Sequence, residues 1–422
     1  YYGEAAAANQ SGDLEAGGGA EMSSVTVARD RLTGYLMKGE AARFNDADFD
    51  QVLIHAMDME ASDVYFKTSR PVVARVHGRL VRLTTRPLQH AEVVRLVVLM
   101  YGANAEVELR KGTPLDQAFS VKVNREKDYR FRWCATGVRI DGAFGISVIM
   151  RELKEVPPAA REEEYHADLW RALFPLQGLV FITGETGAGK TTTLASWIRK
   201  IAEDPESDTH IVSFEAPIEY RLDSLATTSC EIDQSDVPAD VASFALGVVN
   251  ALRRDPDVIL VGESRDAETI KAAVLAAQTG HLVLSTLHSN SVQTTFLRLI
   301  QACPVEELYS IMGAVIGNIE IIVCQRLVRS TDGRRCAVRE HLVFNSYIRN
   351  ELLKTAATNI SLLPYRAGQL LAQFGQSMLQ DAERLHAEGR IDQTQVDLFR
   401  AEGEAAEATS QAPFGVLEVA HA

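Results

Sequence analysis

Gly184, Glu185, Thr186, Gly187, Ala188, Gly189, Lys190 and Thr191 follow the spacing G-x-x-x-x-G-K-[ST], a pattern whose chemistry is polyphosphate binding. Glycines let backbone N–H groups wrap an anion, and a helix opening at Lys190 would aim its positive end at it. Lys190 supplies a point charge, the Thr191 hydroxyl can hold Mg²⁺, and Thr192 belongs to the same binding segment. Before the loop, Leu179-Val180-Phe181-Ile182 reads as a buried parallel strand; after it, Leu194, Trp197, Ile198 and Ile201 fall at helical spacing. Strand, glycine loop and helix in that order imply a nucleoside triphosphate site.

Other residues that could do chemistry also follow apolar runs. Glu215 ends Ile211–Phe214, with Glu219 four residues on; Glu263 ends Val258–Val261; His288 follows the run that begins at Leu282. Ligands in open α/β sheets bind outside the carboxyl ends of strands, so these groups are expected to share one crevice with the loop. A carboxylate at the end of an apolar strand, as in Asp257-Val258-Ile259-Leu260-Val261-Gly262-Glu263, suits the polarising of water or the organising of Mg²⁺. Glu215 and Glu219 could serve the same site or be surface charges beside the Pro217 turn. His281 and His288 bracket one strand, and that stretch spans about 23 Å when extended, so both cannot touch one phosphate if the strand is straight. Either histidine could instead be a hydrogen-bonded structural residue.

The elements that must position these groups fall into two domains with peripheral segments. Residues 1–44, rich in alanine and glycine, read as a flexible arm. Residues 45–151 carry a helix through Val52, Leu53, Ala56 and Met57, a hairpin over Val72–Leu83, and two alternating runs at Tyr129–Trp133 and Ile146–Arg151, an α+β pattern. Glu152–Glu164, with Pro157-Pro158 and no hydrophobic period, reads as a linker. Residues 165–345 alternate apolar runs with helical patterns and predict a largely parallel sheet; 346–400 read as helical and 401–422 as a tail.

A net charge of −14 works against adhesion to nucleic acid, and no direct nucleic-acid binding is expected. The five cysteines are scattered with no C-x-x-C pair, which speaks against a disulfide framework or zinc cluster and for reduced thiols in a cytosolic protein. The apolar stretches Val93–Met100 and Ile311–Cys324 are too short or too interrupted to span a bilayer, and the opening residues do not read as a secretory signal.

Taken together and in order, Ala61-Ser62-Asp63-Val64, Gly184–Thr191, Glu215-Ala216-Pro217-Ile218-Glu219, Arg253–Asp257 running into Gly262–Asp266, and Thr279-Gly280-His281 through His288 resemble the type II/IV secretion ATPase family. Within it the sequence is similar to the PilT-like branch, nearest the DotB/TraJ-type ATPases of type IVB secretion and conjugation. The resemblance covers about residues 48–400 and implies a RecA-like P-loop ATPase domain, a PAS-like α+β N-terminal domain, a helical C-terminal part and a homo-hexamer using ATP and Mg²⁺. It further implies Glu263 as the Walker B glutamate, Glu215 and Glu219 as an acidic box, His281 and His288 as a histidine box, and Arg132 and Arg139 as candidates to reach ATP from the N-terminal domain. Read from the residues alone, Arg130 and Arg132 alternate with aromatics and equally fit a solvated basic face. The partners implied are inner-membrane and cytoplasmic components of a secretion or conjugation apparatus, with the protein cytoplasmic and peripheral at the inner membrane through them. Two departures stand out: Ala216 replaces an acid common in the acidic box, and Tyr347–Leu353 keeps only Ile348-Arg349-Asn350 of the A-I-R-N-L-I-R segment tied to pilus retraction. A four-cysteine zinc module, usual in exporting relatives, does not occur in the sequence. These features point toward the secretion type, with a pilus retraction motor and a non-hydrolysing ATP-binding scaffold as alternatives.

Overall fold

Asn45 opens the first helix by capping it in both directions: its side chain accepts from Ala47 and Asp48 N–H, and the Asp48 carboxylate accepts from the Asn45 N–H. The computed structural model describes residues 34–410 apart from 77–78, 125–126 and 154–155. It divides into two units, broken after Leu153.

The first unit holds helix α1 (Asp46–Asp58), strands β1 (Ala61–Lys67), β2 (Val73–Val76) and β3 (Arg79–Arg82), helices α2 (His90–Tyr101) and α3 (Ala105–Arg110), then β4 (Leu115–Lys122), β5 (Asp128–Ile140) and β6 (Ala143–Leu153). Its six strands are ordered β3-β2-β1-β6-β5-β4, with every neighbouring pair antiparallel. One sheet face is apolar because the strands alternate: Phe131, Trp133 and Ala135 of β5 and Ile146, Val148 and Met150 of β6 are buried with Phe49, Val52 and Leu53 of α1. Strand β4 was not marked by the sequence pattern, since Asp116, Gln117 and Ser120 break its alternation.

The arm expected over 1–44 lies outside the described residues as far as 33, and its last part is corrected. Met37 N–H donates to Leu83 O, the Glu40 carboxylate accepts from Thr85 and Arg86 N–H, and Phe44 is buried, so this stretch is docked on its unit. The linker expected over 152–164 is corrected at both ends. Strand β6 runs to Leu153, and from Pro157 onward the chain is tied into the second unit, where Arg199 donates to Pro157 O, Arg390 to Glu163 O and Arg339 to Glu164 O.

In the second unit, α4 (Ala167–Ala172) precedes β7 (Gly178–Thr183), α5 (Lys190–Ala202), β8 (His210–Glu215), β9 (Glu231–Asp236), α6 (Phe244–Ala251), β10 (Val258–Val261), α7 (Ala267–Gln278), β11 (Leu282–Leu287), α8 (Val292–Ala302), α9 (Leu308–Asn318), β12 (Ile319–Arg329) and β13 (Arg335–Val343). The seven-stranded sheet is ordered β13-β12-β7-β11-β10-β8-β9 and is parallel except at the β12–β13 pair. Strand β7 is buried along its whole length between β11 and β12. That environment explains why its sequence is apolar without alternation. Among the described residues four helices follow β13: α10 (Ser346–Asn359), α11 (Leu363–Phe374), α12 (Met378–Ala387) and α13 (Gln393–Ser410). The helical part thus reaches Ser410, past the expected boundary at 400, and residues 411–422 of the expected tail lie outside the described residues. Among the described residues, no helix is long and apolar enough to cross a membrane.

Candidate functional site

Parallel register aligns the carboxyl ends of the central strands. Leu287 of β11 pairs with Thr183 of β7, Val261 of β10 with Ser285 of β11, and Val261 with Phe214 of β8. The residues just beyond those ends are Gly184, His288, Gly262-Glu263 and Glu215. Short bonds fasten the ends together: Gly262 N–H donates to Phe214 O at 2.8 Å, Ser264 N–H to Thr286 O at 3.0 Å, and the Thr286 hydroxyl to Gly262 O at 2.5 Å.

The loop between β7 and α5 needs glycine at two positions for space. A Cβ on Gly184, where φ is +148°, would lie 2.4 Å from the Gln325 carbonyl oxygen; one on Gly189, φ +83°, would meet Gln325 Nε2 at 3.1 Å. At Gly189 the N-cap of α5 has no side-chain cap, and the first turn carries no acidic residue. The uncapped N–H groups and the helix dipole therefore face outward over the loop, a donor set that fits a phosphate. Lys190 Nζ donates to Gly184 O at 2.7 Å and Glu185 O at 3.0 Å, so the ammonium lies inside the loop's curve. Burial lowers its pKa, opposed by the charges of Glu263, Glu185 and Glu219. Glu185, Thr186 and Gly187 are exposed along the rim, while Ala188 is buried beneath it. Thr191 is half-buried on the first turn of α5, where its hydroxyl could ligate a cation held against a phosphate. Thr192 instead shares a 3.0 Å hydrogen bond with the Tyr220 hydroxyl, which ties α5 to the segment carrying Glu219.

Glu263 is partly exposed, and its Oε1 lies 3.6 Å from His288 Nε2. Burial lowers the His288 pKa, helped by the Lys190 charge and opposed by Glu263. Neutral His288 can then accept or relay a proton beside the carboxylate. Glu215 is almost fully buried and its carboxyl is pushed up to about 7 by that burial, with its Oε1 accepting from Ser213 Oγ and Gln234 Nε2 at 2.9 Å each. A carboxyl so enclosed is a fixed acceptor at the strand end, whereas Glu219 is half-exposed and its charge is felt by both Lys190 and Glu215.

The histidine pair is corrected. His281 precedes β11 at the opposite end of the strand, where its Nδ1 lies 2.9 Å from Ala276 O and 3.1 Å from Thr279 Oγ1; it closes the turn after α7 and is not brought to Glu263 and Lys190. Arg132 and Arg139 are on β5 in the first unit. Arg132 binds Asp116 in two places, Nε at 3.2 Å and Nη2 at 2.8 Å, and Arg139 is exposed near the hairpin end. The β5–β6 register runs without a bulge between them, and their odd spacing sends the two side chains to opposite faces of the sheet. Among the described residues no group of three or more His, Cys, Asp or Glu side chains is placed to hold a metal. The five cysteines are free, and only Cys134 is exposed.

Sequence reading missed Gln325, Arg339, Tyr220 and Gln234. Gln325 had a detectable signal, a lone amide inside the apolar run Ile321–Val328; Arg339 in β13 and the two residues near the acidic box had none.

The family described as Type II/IV secretion system protein matches residues 41–392. The chain is 30% identical over 314 residues to the type IV pilus retractation ATPase PilT of Pseudomonas aeruginosa, covering 72% of this chain and 84% of that protein. Among solved structures, the Legionella pneumophila ATPase DotB superposes with a TM-score of 0.76 at 37% identity, over 87% of this chain and 99% of that one. The pilus retraction motor PilT with bound ADP superposes with a TM-score of 0.68 at 27% identity, over 83% and 96%.

Proposed function

The chain belongs to the type II/IV secretion system protein family and is a PilT-related ATPase, and from that premise we propose that it is a Mg²⁺-dependent homo-hexameric motor that powers a type IVB secretion or conjugative transfer machine at the cytoplasmic face of the inner membrane. The observation that carries the ATP-hydrolysing part is the convergence of an uncapped α5 N-terminus, Lys190 inside the loop, and the Glu263–His288 pair at aligned strand ends.

In this reading the loop N–H groups and Lys190 hold the β- and γ-phosphates, replacing the carbonyl contacts that Lys190 now makes. Thr191 would hold Mg²⁺, which when bound neutralises developing phosphate charge. Glu263 orients and polarises the attacking water, with His288 beside it as a proton relay or phosphate contact. Glu219 adds negative charge at the mouth, and Glu215 fixes the end of β8. An arginine from the first unit, Arg132 or Arg139, is proposed to complete the phosphate site when domains or subunits close. The type IVB branch is supported by the DotB superposition and by the degenerate Tyr347–Leu353 segment. A pilus retraction motor is the second reading, favoured by the PilT relative.

Steady-state phosphate release by the purified full-length protein tests the enzyme reading. Lys190→Ala is expected to abolish turnover, and Glu263→Gln to retain ATP binding while losing at least about a hundredfold in kcat. Wild-type turnover in either variant removes the site assignment, and ATP binding without turnover in the wild type leaves the scaffold. Complementation decides the branch: rescue of secretion or conjugal transfer supports the proposal, and rescue of twitching in a motor-deleted strain transfers it to the pilus.

A further inference from the structure

Strand β12 runs beside β7 and continues past it, so that Gln325 follows the last paired residue, Cys324, and lies under the loop that begins at Gly184. The Gln325 amide is used from both ends. Its Nε2 donates to Ala188 O of the loop at 2.7 Å, while its Oε1 accepts from Thr193 Oγ1 of α5 and from Arg339 Nε, each at 2.9 Å. Two donors on one side and a carbonyl on the other leave the amide a single satisfactory orientation. Arg339 is the cross-strand partner of Gln325 on β13. It is 6% exposed, and no described carboxylate forms an ion pair with it. Its charge is met instead by Gln325, by the Glu164 carbonyl at 2.7 Å, and by the Tyr165 ring, whose centroid lies 4.3 Å away. The Tyr165 hydroxyl accepts from Trp197 Nε1 of α5 at 2.9 Å, which closes the circuit back to the loop's helix. A buried cation without a carboxylate is costly, and an apolar pair would fill the same strand positions at less cost.

We propose that Gln325 and Arg339 are positioning residues that hold the phosphate loop to the Glu164–Tyr165 segment, making the loop and the segment that opens the second unit one mechanical body. The proposal rests on the ATP-binding reading and extends it: nucleotide on the loop stiffens Ala188 and Thr193, and the stiffening passes through two side chains to a carbonyl eleven residues after the first unit ends. Gln325 serves the loop directly, and Arg339 serves it through Gln325 while reaching the connection.

Hydrogen exchange of the full-length protein, with and without ADP, separates the roles. Wild type is expected to show ADP-dependent slowing both in 184–193 and in 161–166. Arg339→Gln, too short to reach Glu164 O, is expected to keep the slowing in 184–193, with ADP affinity changed less than about threefold, and to lose it in 161–166. Gln325→Glu keeps an acceptor for Thr193 and a partner for Arg339, so folding is retained, but it sets an oxygen against Ala188 O; ADP affinity is expected to fall about tenfold or more. If ADP slows 184–193 but leaves 161–166 unaltered in the wild type, or if Arg339→Gln preserves the slowing in both, the coupling is refuted. Wild-type affinity in Gln325→Glu refutes the loop-holding role. If ADP slows neither segment in the wild type, the nucleotide reading itself falls, and this proposal falls with it. Should Arg339→Gln not fold, Arg339→Lys provides the second reading of the same arm: it keeps the charge, cannot bridge Gln325 and Glu164 together, and is expected to lose the 161–166 response alone.

Discussion

Replacing Gly184 by alanine should damage nucleotide binding far more than the same change at Gly187, although both glycines have φ between +80° and +150°. At Gly184 the added methyl would stand 2.4 Å from Gln325 O and 2.9 Å from Ala188 Cβ. The first obstacle is strand backbone, held at Gln325 by its pairing with Arg339 of β13 and by the β7 pairing that ends one residue earlier, and it cannot swing away as a side-chain tip could. The loop must therefore retreat from β12 by several tenths of an ångström, and nucleotide binding must push it back against the contact. A left-handed alanine costs about 1–3 kcal/mol, and the overlap raises the part relieved by retreat to about 3 kcal/mol, or about a hundredfold in affinity. At Gly187 nothing lies within 4 Å, so only the backbone strain remains, about 1–2 kcal/mol, and some of it is paid in both states. Calorimetric titration of each variant with ADP reads the difference directly. Equal affinity in Gly184→Ala and wild type, or a larger loss in Gly187→Ala, would refute the claim that β12 backbone sets the loop's position.

Acid lability should be concentrated at His341, whose pKa burial lowers to about 4 with help from the charges of His166, Arg339 and Arg384. Its folded value lies below its unfolded one, so its contribution is present above pH 6.5 and lost as pH falls toward 4; His341→Leu should lose about 3 kcal/mol less stability than wild type over that window in denaturant titrations, and parallel curves would remove the assignment. Because Arg132 and Arg139 face opposite sides of β5, only one can serve a given phosphate: one of Arg132→Ala and Arg139→Ala is expected to lower kcat at least about tenfold and the other less than about twofold, and comparable losses in both would contradict the face argument. Specific ATPase activity should fall on dilution if complete sites require the ring, and an activity independent of protein concentration from micromolar to nanomolar speaks for sites complete in one chain.

The nucleotide half of the site was legible because its chemistry depends on sequence-local features. Gly184–Thr191 are contiguous; Glu215 ends β8, buried from Ile211 onward, and Glu263 and His288 follow β10 and β11, which are buried throughout, so burial made each strand visible. What was hidden depends on pairing between distant segments. Strand β9 (Glu231–Asp236) is a polar edge strand held by β8, with no apolar signature of its own. Strands β12 and β13 carry charged residues at Glu320, Arg326, Arg339 and Glu340, so their pattern does not read as the wall of a parallel sheet. His281 misled because proximity to a strand does not say which end of the sheet a residue occupies; only the turn after α7, with Gly280 at φ +99°, places it at the far end. The docking of residues 37–44 was equally invisible, since it rests on backbone bonds and on Phe44 packing edge-on against Phe49.

Why an amide stands at Gln325 follows from the same topology. Side chains at 321, 323 and 325 share one face of β12, and Ile321 and Val323 pack with Leu194, Trp197 and Ile198 of α5. An apolar residue at 325 would continue that core, but the strand has by then passed the end of β7, and the groups above it are Ala188 O and the Thr193 hydroxyl. Left without partners in the interior, each would cost about 1–3 kcal/mol. Asparagine is a methylene shorter, a carboxylate has no N–H for Ala188 O, and a cation has no acceptor for Thr193. Glutamine alone combines length, donor and acceptor, and the acceptor's second lone pair is what admits Arg339 and, through it, Glu164. The connection from the loop to the segment that opens the second unit is thus a consequence of letting one strand of a parallel sheet overrun its neighbour at the point where that neighbour turns into a phosphate loop.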